Sequence, residues 1–283
     1  MHFVTVGNHG FIKFLKNLCL NFQQDFMRNH ELIVFCLGEK CYAELQSFKN
    51  FKKIKNVKLI HKSYENDKHL KYSGNKNFKK NPEFVELNNL KLSLVSDVIK
   101  NFDVIHYIDA DIGFLKDPQS EYDKLNGYDL VFQSDVIDGS LYFPNQCAGN
   151  FLIRNNVNAR DVIMRACDLC SVTVVDQQAL NKILSSEGCE DIRKFRFANL
   201  TSFDPYKFPN GFNAFYRLQY KRSELVCLHA NYLSGESSKI DALAEGGVWY
   251  LDGFAVLFFR KTRFLIRYYY IILKKFLKRI LFP

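Results

Sequence analysis

The stretch Val104-Ile105-His106-Tyr107-Ile108-Asp109-Ala110-Asp111-Ile112-Gly113-Phe114-Leu115-Lys116-Asp117-Pro118 decides how the rest of the chain is read. Val104 to Ile108 has the pattern of a short buried strand. It ends in two acids spaced i, i+2, and Asp117-Pro118 marks a turn. Two carboxylates at the end of a buried strand repel each other and lose hydration; a bound divalent cation removes both penalties. Oxygen ligands suit Mg²⁺ or Mn²⁺, with substrate phosphate and water completing the shell. The plainer reading is a strand end whose acids are solvated or cap the next turn, and Asp-x-Asp alone does not separate the two.

Working back toward the amino terminus, strand-like and helix-like segments alternate. His2–Val6 is predicted as a strand, Gly7–Gly10 as a loop and Phe11–Met27 as a helix. A strand follows at Glu31–Leu37, a helix at Glu39–Phe48 and a strand at Val57–Ile60. Residues 61–82, rich in Lys, Asn and Ser, read as a surface loop. Phe84–Phe102 is predicted as a helix with Leu87, Leu90, Leu94 and Val98 on one face. This alternation implies βαβ units and a largely parallel sheet, an α/β architecture. Ligands of such open sheets bind outside the carboxyl ends of the strands, where Asp109 and Asp111 fall.

The second half is less regular. Strands are predicted at Leu130–Phe132, Phe151–Ile153, Ile192–Phe197 and Leu225–Leu228, and helices at Asn158–Leu169 and Gln177–Leu184. No Gly/Ser linker divides residues 1–253, which read as one domain, followed by a tail at 254–283.

His229 follows the strand at Leu225–Leu228. Neutral imidazole is a good ligand for Mn²⁺, although a histidine here also reads as a packed core residue. After it come Tyr232-Leu233-Ser234-Gly235 and Lys239, in a helix running toward Gly246. A glycine loop, a helix amino terminus and a lysine suit phosphate; the plainer alternative is Ser237 or Ser238 capping a surface helix. Asp176 before Gln177 reads as an Asp N-cap. Cys147-Ala148-Gly149-Asn150 brings small residues to a strand, as a β-bulge or as a place where a ligand approaches the backbone. Phe208-Pro209-Asn210-Gly211-Phe212 is a turn by composition.

With 47% hydrophobic residues, 27 Phe and 15 Tyr, the chain builds a sizeable core and is not disordered. The net charge of +9 has a local origin. Residues 254–283 carry Arg260, Lys261, Arg263, Arg267, Lys274, Lys275, Lys278 and Arg279 with no acid, so the body is close to neutral. The eight cysteines are scattered, and Phe3–Val6 reads as a strand rather than a secretory signal, so free thiols in a reducing compartment are expected. Cys167-x-x-Cys170 lacks a second pair at zinc-ligand spacing.

Taken together, YIDADIGFLKDP, VFQSD, CAGNFLIRN, DQQALN, FPNGFNAF and HANYLSGESSK…GGVW, in that order, resemble the nucleotide-diphospho-sugar transferases. The likeness is to the glycosyltransferase family 77 type and more distantly to family 8, and it covers roughly residues 1–250. It implies a GT-A fold with a Rossmann-like, mostly parallel sheet. It also implies a retaining, metal-dependent glycosyltransferase moving a hexose or pentose from a UDP-sugar to a glycan or glycolipid acceptor. On the matching positions, Asp109, Asp111 and His229 would hold Mn²⁺ (or Mg²⁺), with Asp109 also touching ribose. Gly235 and Lys239 would hold the phosphates, Gly7 and Asn8 would lie against the nucleoside, and Lys91 would contact donor phosphate or sugar. Asp135, Ala148, Gly149 and Asp176 would surround the donor sugar, and Gln177 would lie nearest the reacting carbon. Two departures bear on this. Cys147 stands where family 8 relatives place Asn, which leaves donor choice open. No membrane anchor of the eukaryotic kind is read before Phe3, so a luminal location is not carried over.

The tail reads as a basic amphipathic helix, with Arg260, Arg263, Arg267, Lys274, Lys278 and Arg279 on one face. Leu265, Tyr269, Ile272, Leu273, Phe276 and Ile280 share the other. It lacks the roughly 18 uncharged residues of a span and fits an anionic membrane surface. It is also similar to the tails that seat some bacterial family 8 enzymes on the inner membrane face. The expected location is cytoplasmic, peripherally bound to the cytosolic face of a membrane. A protein partner could use the same charge, and nucleic acid is the least favoured partner. Two other functions compete. A haloacid-dehalogenase-like phosphohydrolase would place its nucleophilic Asp near the domain start and Thr or Val where Gly113 stands. A non-catalytic sugar- or lipid-binding protein would not need the whole acidic and His set.

Overall fold

The computed structural model describes residues 1–64, 82–136, 145–171, 173–186, 199–216 and 222–281. Most of the expected loop at 61–82, the expected strand Ile192–Phe197 and Cys189 lie outside the described residues. The first half follows the predicted alternation: β1 (His2–Asn8), α1 (Ile12–Asn21), β2 (Glu31–Leu37), α2 (Glu39–Lys52), β3 (Val57–Lys62), α3 (Pro82–Val98) and β4 (Val104–Ile108). After it come β5 (Ile112–Phe114), α4 (Gln119–Asp123), β6 (Leu130–Ser134), β7 (Gln146–Arg154), α5 (Val157–Leu169), α6 (Asp176–Ser186) and β8 (Leu200–Ser202). The chain ends with α7 (Gly211–Tyr216), β9 (Cys227–His229), α8 (Glu236–Gly246) and α9 (Phe254–Leu281).

The main sheet has seven strands in the order β3-β2-β1-β4-β7-β6-β8. β3, β2, β1 and β4 are mutually parallel. β7 runs antiparallel to β4 and β6, and β8 runs parallel to β6. Because strand side chains alternate, successive residues serve different cores. Phe3, Leu32 and Val34 join α1 and α2 on one face; Val4, Ile33 and Phe35 join α3, α5 and α6 on the other. Strands covered on both faces are apolar throughout, which is why β2 and β4 match their predicted bounds.

Three local differences have clear causes. The helix predicted through Met27 stops at Asn21, whose amide donates to Phe114 O at 2.9 Å and accepts from Phe114 N at 2.8 Å. Phe22 and Met27 are still buried, but in turns beyond the helix. The turn at Phe208–Phe212 also opens α7, with Asn210 Oδ1 accepting from Asn213 N at 2.9 Å as a cap. α8 is capped by Gly235, at φ +85°, and not by Ser237 or Ser238; its cap makes no side-chain hydrogen bond to the first turn.

The tail is helical, and three arginines of its basic face are bonded to the body of the protein. Asp241 of α8 is fully buried and accepts from Arg260 at 3.3 Å, from Arg267 at 3.2 Å and from Arg263 through both oxygens. Phe264 and Tyr268 are buried beside these arginines. Phe258, Phe259, Ile266, Tyr269, Tyr270 and Leu273 are left exposed. Three of the cations expected to face lipid are therefore spent on the body, because a buried carboxylate demands charge-assisted partners. Among the described residues, no helix is long and apolar enough to cross a membrane.

Candidate active site

β4 ends at Ile108, and the chain turns through Asp109 to Asp111 into β5. β5 pairs antiparallel with β9, which sets Ile112 opposite His229. This two-stranded ladder carries the histidine to the acids across more than a hundred residues of sequence. One ligand atom each from Asp109, Asp111 and His229 lies within 4.8 Å of the others. His229 Nε2 is 3.4 Å from Asp111 and 3.9 Å from Asp109. Two carboxylates and an imidazole are a donor set that fits Mn²⁺ or Mg²⁺.

Two lysines flank the acids. Lys239 donates to Asp111 Oδ2 at 2.5 Å. Burial alone would raise the Asp111 carboxyl pKa, but the Lys239 ammonium outweighs it and holds the group well below the usual carboxylate range. Lys91, itself buried, lies 3.3 Å from Asp109 and 2.7 Å from Asp176. Burial works against its charge, yet those two carboxylates prevail and raise its pKa, so it stays a cation. Asp176 is thus tied to Asp109 and the acidic cluster through Lys91 as well as opening α6. Tyr107 adds a hydroxyl donation to Asp109 at 3.2 Å. Lys91, Tyr107, Asp109, Asp111 and Lys239, with Phe11 and Leu87, line an open cleft.

Gly149 forms the floor. Its carbonyl accepts from Asp109 N at 2.7 Å. A Cβ here would run into the Asp109 carboxylate and stand 3.0 Å from His229 Cε1, so the close approach requires glycine. The register of β6 against β7 shifts between Phe132 and Ser134, opposite the small residues Cys147, Ala148 and Gly149, as the bulge reading expected.

Beside the cleft lies a second polar network. Gln177 Nε2 donates to Asp135 Oδ2 at 3.0 Å and Asn145 Oδ1 at 3.3 Å. Asn231 Nδ2 donates to Asp135 Oδ1 at 2.9 Å, and the Tyr232 hydroxyl donates to the Asp135 carbonyl at 2.8 Å. Burial raises the Asp135 pKa, against the opposing pull of the Gln177 and Asn231 amides. Gly7 and Asn8 close the end of β1, but the Asn8 side chain accepts from Gly10 N at 3.0 Å and caps a short 3₁₀ turn. The sequence reading had no role for Gln133, Asn231 or Tyr107. They sit inside the motifs VFQSD, HANYLSG and YIDAD, but nothing local to those motifs reveals their long-range partners. Cys167 and Cys170 are free thiols and, among the described residues, join no group of metal-ligating side chains.

Residues 44–243 match the nucleotide-diphospho-sugar transferase family. The match spans more than half of the chain, and the chain belongs to that family. A UDP-galactose:fucoside alpha-3-galactosyltransferase of Dictyostelium discoideum is 26% identical over 279 residues, covering 88% of this chain and 43% of its own length. The chain thus spans less than half of that relative. Among solved structures, the galactosyltransferase LgtC in complex with donor and acceptor sugar analogues superposes with a TM-score of 0.53 at 13% identity. That match covers 90% of this chain and 98% of LgtC. The glycosyltransferase GlyE of Streptococcus pneumoniae superposes with a TM-score of 0.50 at 15% identity, over 90% of this chain and 61% of its own. The fold is the GT-A glycosyltransferase fold, as the sequence motifs implied.

Proposed function

We propose that the protein is a retaining, Mn²⁺-dependent glycosyltransferase that moves a hexose or pentose from a UDP-sugar to a glycan or glycolipid acceptor. The observation that carries this reading is the convergence of Asp109, Asp111 and His229 at the edge of a cleft that also holds two lysines. These three residues would hold the ion, and Mg²⁺ would fit the same donors. When bound, such an ion supplies positive charge to a diphosphate leaving group. Lys239 takes the outgoing phosphate together with the first turn of α8, whose Gly235 cap offers no side chain. Gly7 and Asn8 face the nucleoside, and Lys91 balances Asp109 and Asp176 while reaching donor phosphate or sugar.

Asp135, Ala148, Gly149 and Asp176 surround the donor sugar. Gln177 contributes no base and no strong nucleophile. Its NH₂ is held by Asp135 and Asn145, and this turns its carbonyl dipole toward charge that develops on the sugar. Retention then follows from attack on the face the leaving group vacates, with a diphosphate oxygen accepting the acceptor's proton. Residues 1–253 form the catalytic unit. The tail at 254–283 lies on the cytosolic face of an anionic membrane, with its exposed aromatics rather than its docked arginines against lipid. Thermal-shift measurements with UDP-sugars, with and without Mn²⁺, test the reading. Stabilisation that needs both, and is lost in Asp111→Ala, supports it; indifference to Mn²⁺ contradicts it.

A further inference from the structure

We infer that Gln133 is a positioning residue that fixes the tautomer and the ring orientation of His229, and so determines how well the site holds its metal. The inference rests on the metal reading above. Gln133 lies in β6 at the register shift and is fully buried. Its Oε1 is 2.7 Å from His229 Nδ1. Its Nε2 is 2.7 Å from Pro209 O and 3.2 Å from Phe208 O. Backbone carbonyls only accept, so the NH₂ must face them, and the amide has one possible orientation. Its oxygen therefore faces the imidazole, and Nδ1 must carry the proton it donates. In the neutral ring Nε2 is then the nitrogen with a lone pair, and it faces Asp109 and Asp111, 3.9 and 3.4 Å away. The nearest other partner for Nδ1 is the Cys147 sulfur at 3.9 Å, a weak acceptor.

The Phe208-Pro209 turn, far away in sequence, thus sets the chemistry of a ligand on β9 through one side chain. Outer partners of metal-bound histidines are worth 10–100-fold in affinity. Loss of the Gln133 bond should reduce Mn²⁺ affinity on that scale.

The test compares Gln133→Met with Gln133→Glu. Both remove the two donations to the 208–209 carbonyls, and Glu adds repulsion there, so a purely structural role makes Glu the equal or worse variant. Glu keeps an oxygen for His229 Nδ1; Met does not. Mn²⁺ binding by electron paramagnetic resonance titration, without donor, should weaken about 10–100-fold in Gln133→Met and recover most of that loss in Gln133→Glu. Equal weakening in both variants, or none in Gln133→Met, overturns the inference. If the wild-type chain binds Mn²⁺ no better than Asp111→Ala, the metal reading itself has failed. A measurement on the unmodified chain guards against misfolded variants. The ¹H–¹⁵N correlation of the neutral His229 ring, assigned by its loss in His229→Gln, should show the proton on Nδ1; a proton on Nε2 sinks the proposal.

Discussion

Lys239 and Asp241 stand two residues apart on α8 and leave it on nearly opposite sides, one bonded to the Asp111 carboxylate and the other to three arginines of α9. α8 is held between the candidate metal centre and the tail. Ending the chain after Gly253 would strip the buried Asp241 of its cations and uncover the surface beneath Phe264 and Tyr268. A loss of about 3 kcal/mol or more is expected, from the scale of broken buried ion pairs. The donor KM should rise more than kcat falls, since Lys239 is the group displaced. Thermal melts and steady-state kinetics check this; an unchanged melting temperature and KM would contradict it.

Gly149→Ala should disable the site while sparing the fold. The new methyl meets Asp109 and the His229 ring rather than the core. A displacement near 1 Å of a reacting or positioning group costs about 100-fold in rate. Turnover should fall at least that far, Mn²⁺ binding should weaken, and the melting temperature should barely move.

Stability should depend on pH through His106. Burial pushes this imidazole down to about 3. The Tyr122 hydroxyl lies 2.5 Å from Nδ1 and Asn150 Oδ1 lies 2.6 Å from Nε2, a pattern that suits the neutral ring. The unfolded chain binds the extra proton near pH 6.5 and the folded one only near pH 3. The contribution is therefore complete above the upper value and lost at about 1.4 kcal/mol per pH unit through the window below it. Urea denaturation between pH 4 and pH 7 should show that slope, flattened in His106→Asn; equal slopes would remove His106 as its source.

Gln177→Ala should leave measurable transfer. Removing one preorganised dipole costs about 100–1,000-fold in kcat, with donor KM little changed. Complete loss, accompanied by a trapped glycosyl-enzyme on Asp176 or Asp135, would replace the same-face mechanism with a covalent one.

At the tail, Phe258→Ser with Phe259→Ser should weaken partition onto anionic vesicles by at least about 10-fold, since each buried aromatic contributes about 1.5–3 kcal/mol. Salt should matter less. Binding abolished by salt but unaffected by these substitutions would return the contact to the cations.

Much of the fold was legible because it is written in local pattern. β2 and β4 are buried on both faces, and the run of apolar residues announces their limits. The three-residue strands β5, β8 and β9 were missed or misplaced, because elements so short have no periodicity of their own and exist only through their ladders. The sense of the tail was also hidden. An amphipathic wheel gives two faces but not which one is covered, and a single buried acid, Asp241, settled that question.

What the sequence determined by itself was the parallel half of the sheet, the family, and the acids waiting at the end of β4, since each rests on neighbours in the chain. Only the tertiary structure decided that His229 meets those acids, that Gln133 faces its ring, and that the tail's arginines bind Asp241. Those relations join groups on different elements, at least 19 residues apart in the chain. They arise because buried polar atoms must find partners wherever packing brings them, and no local pattern of residues records that requirement.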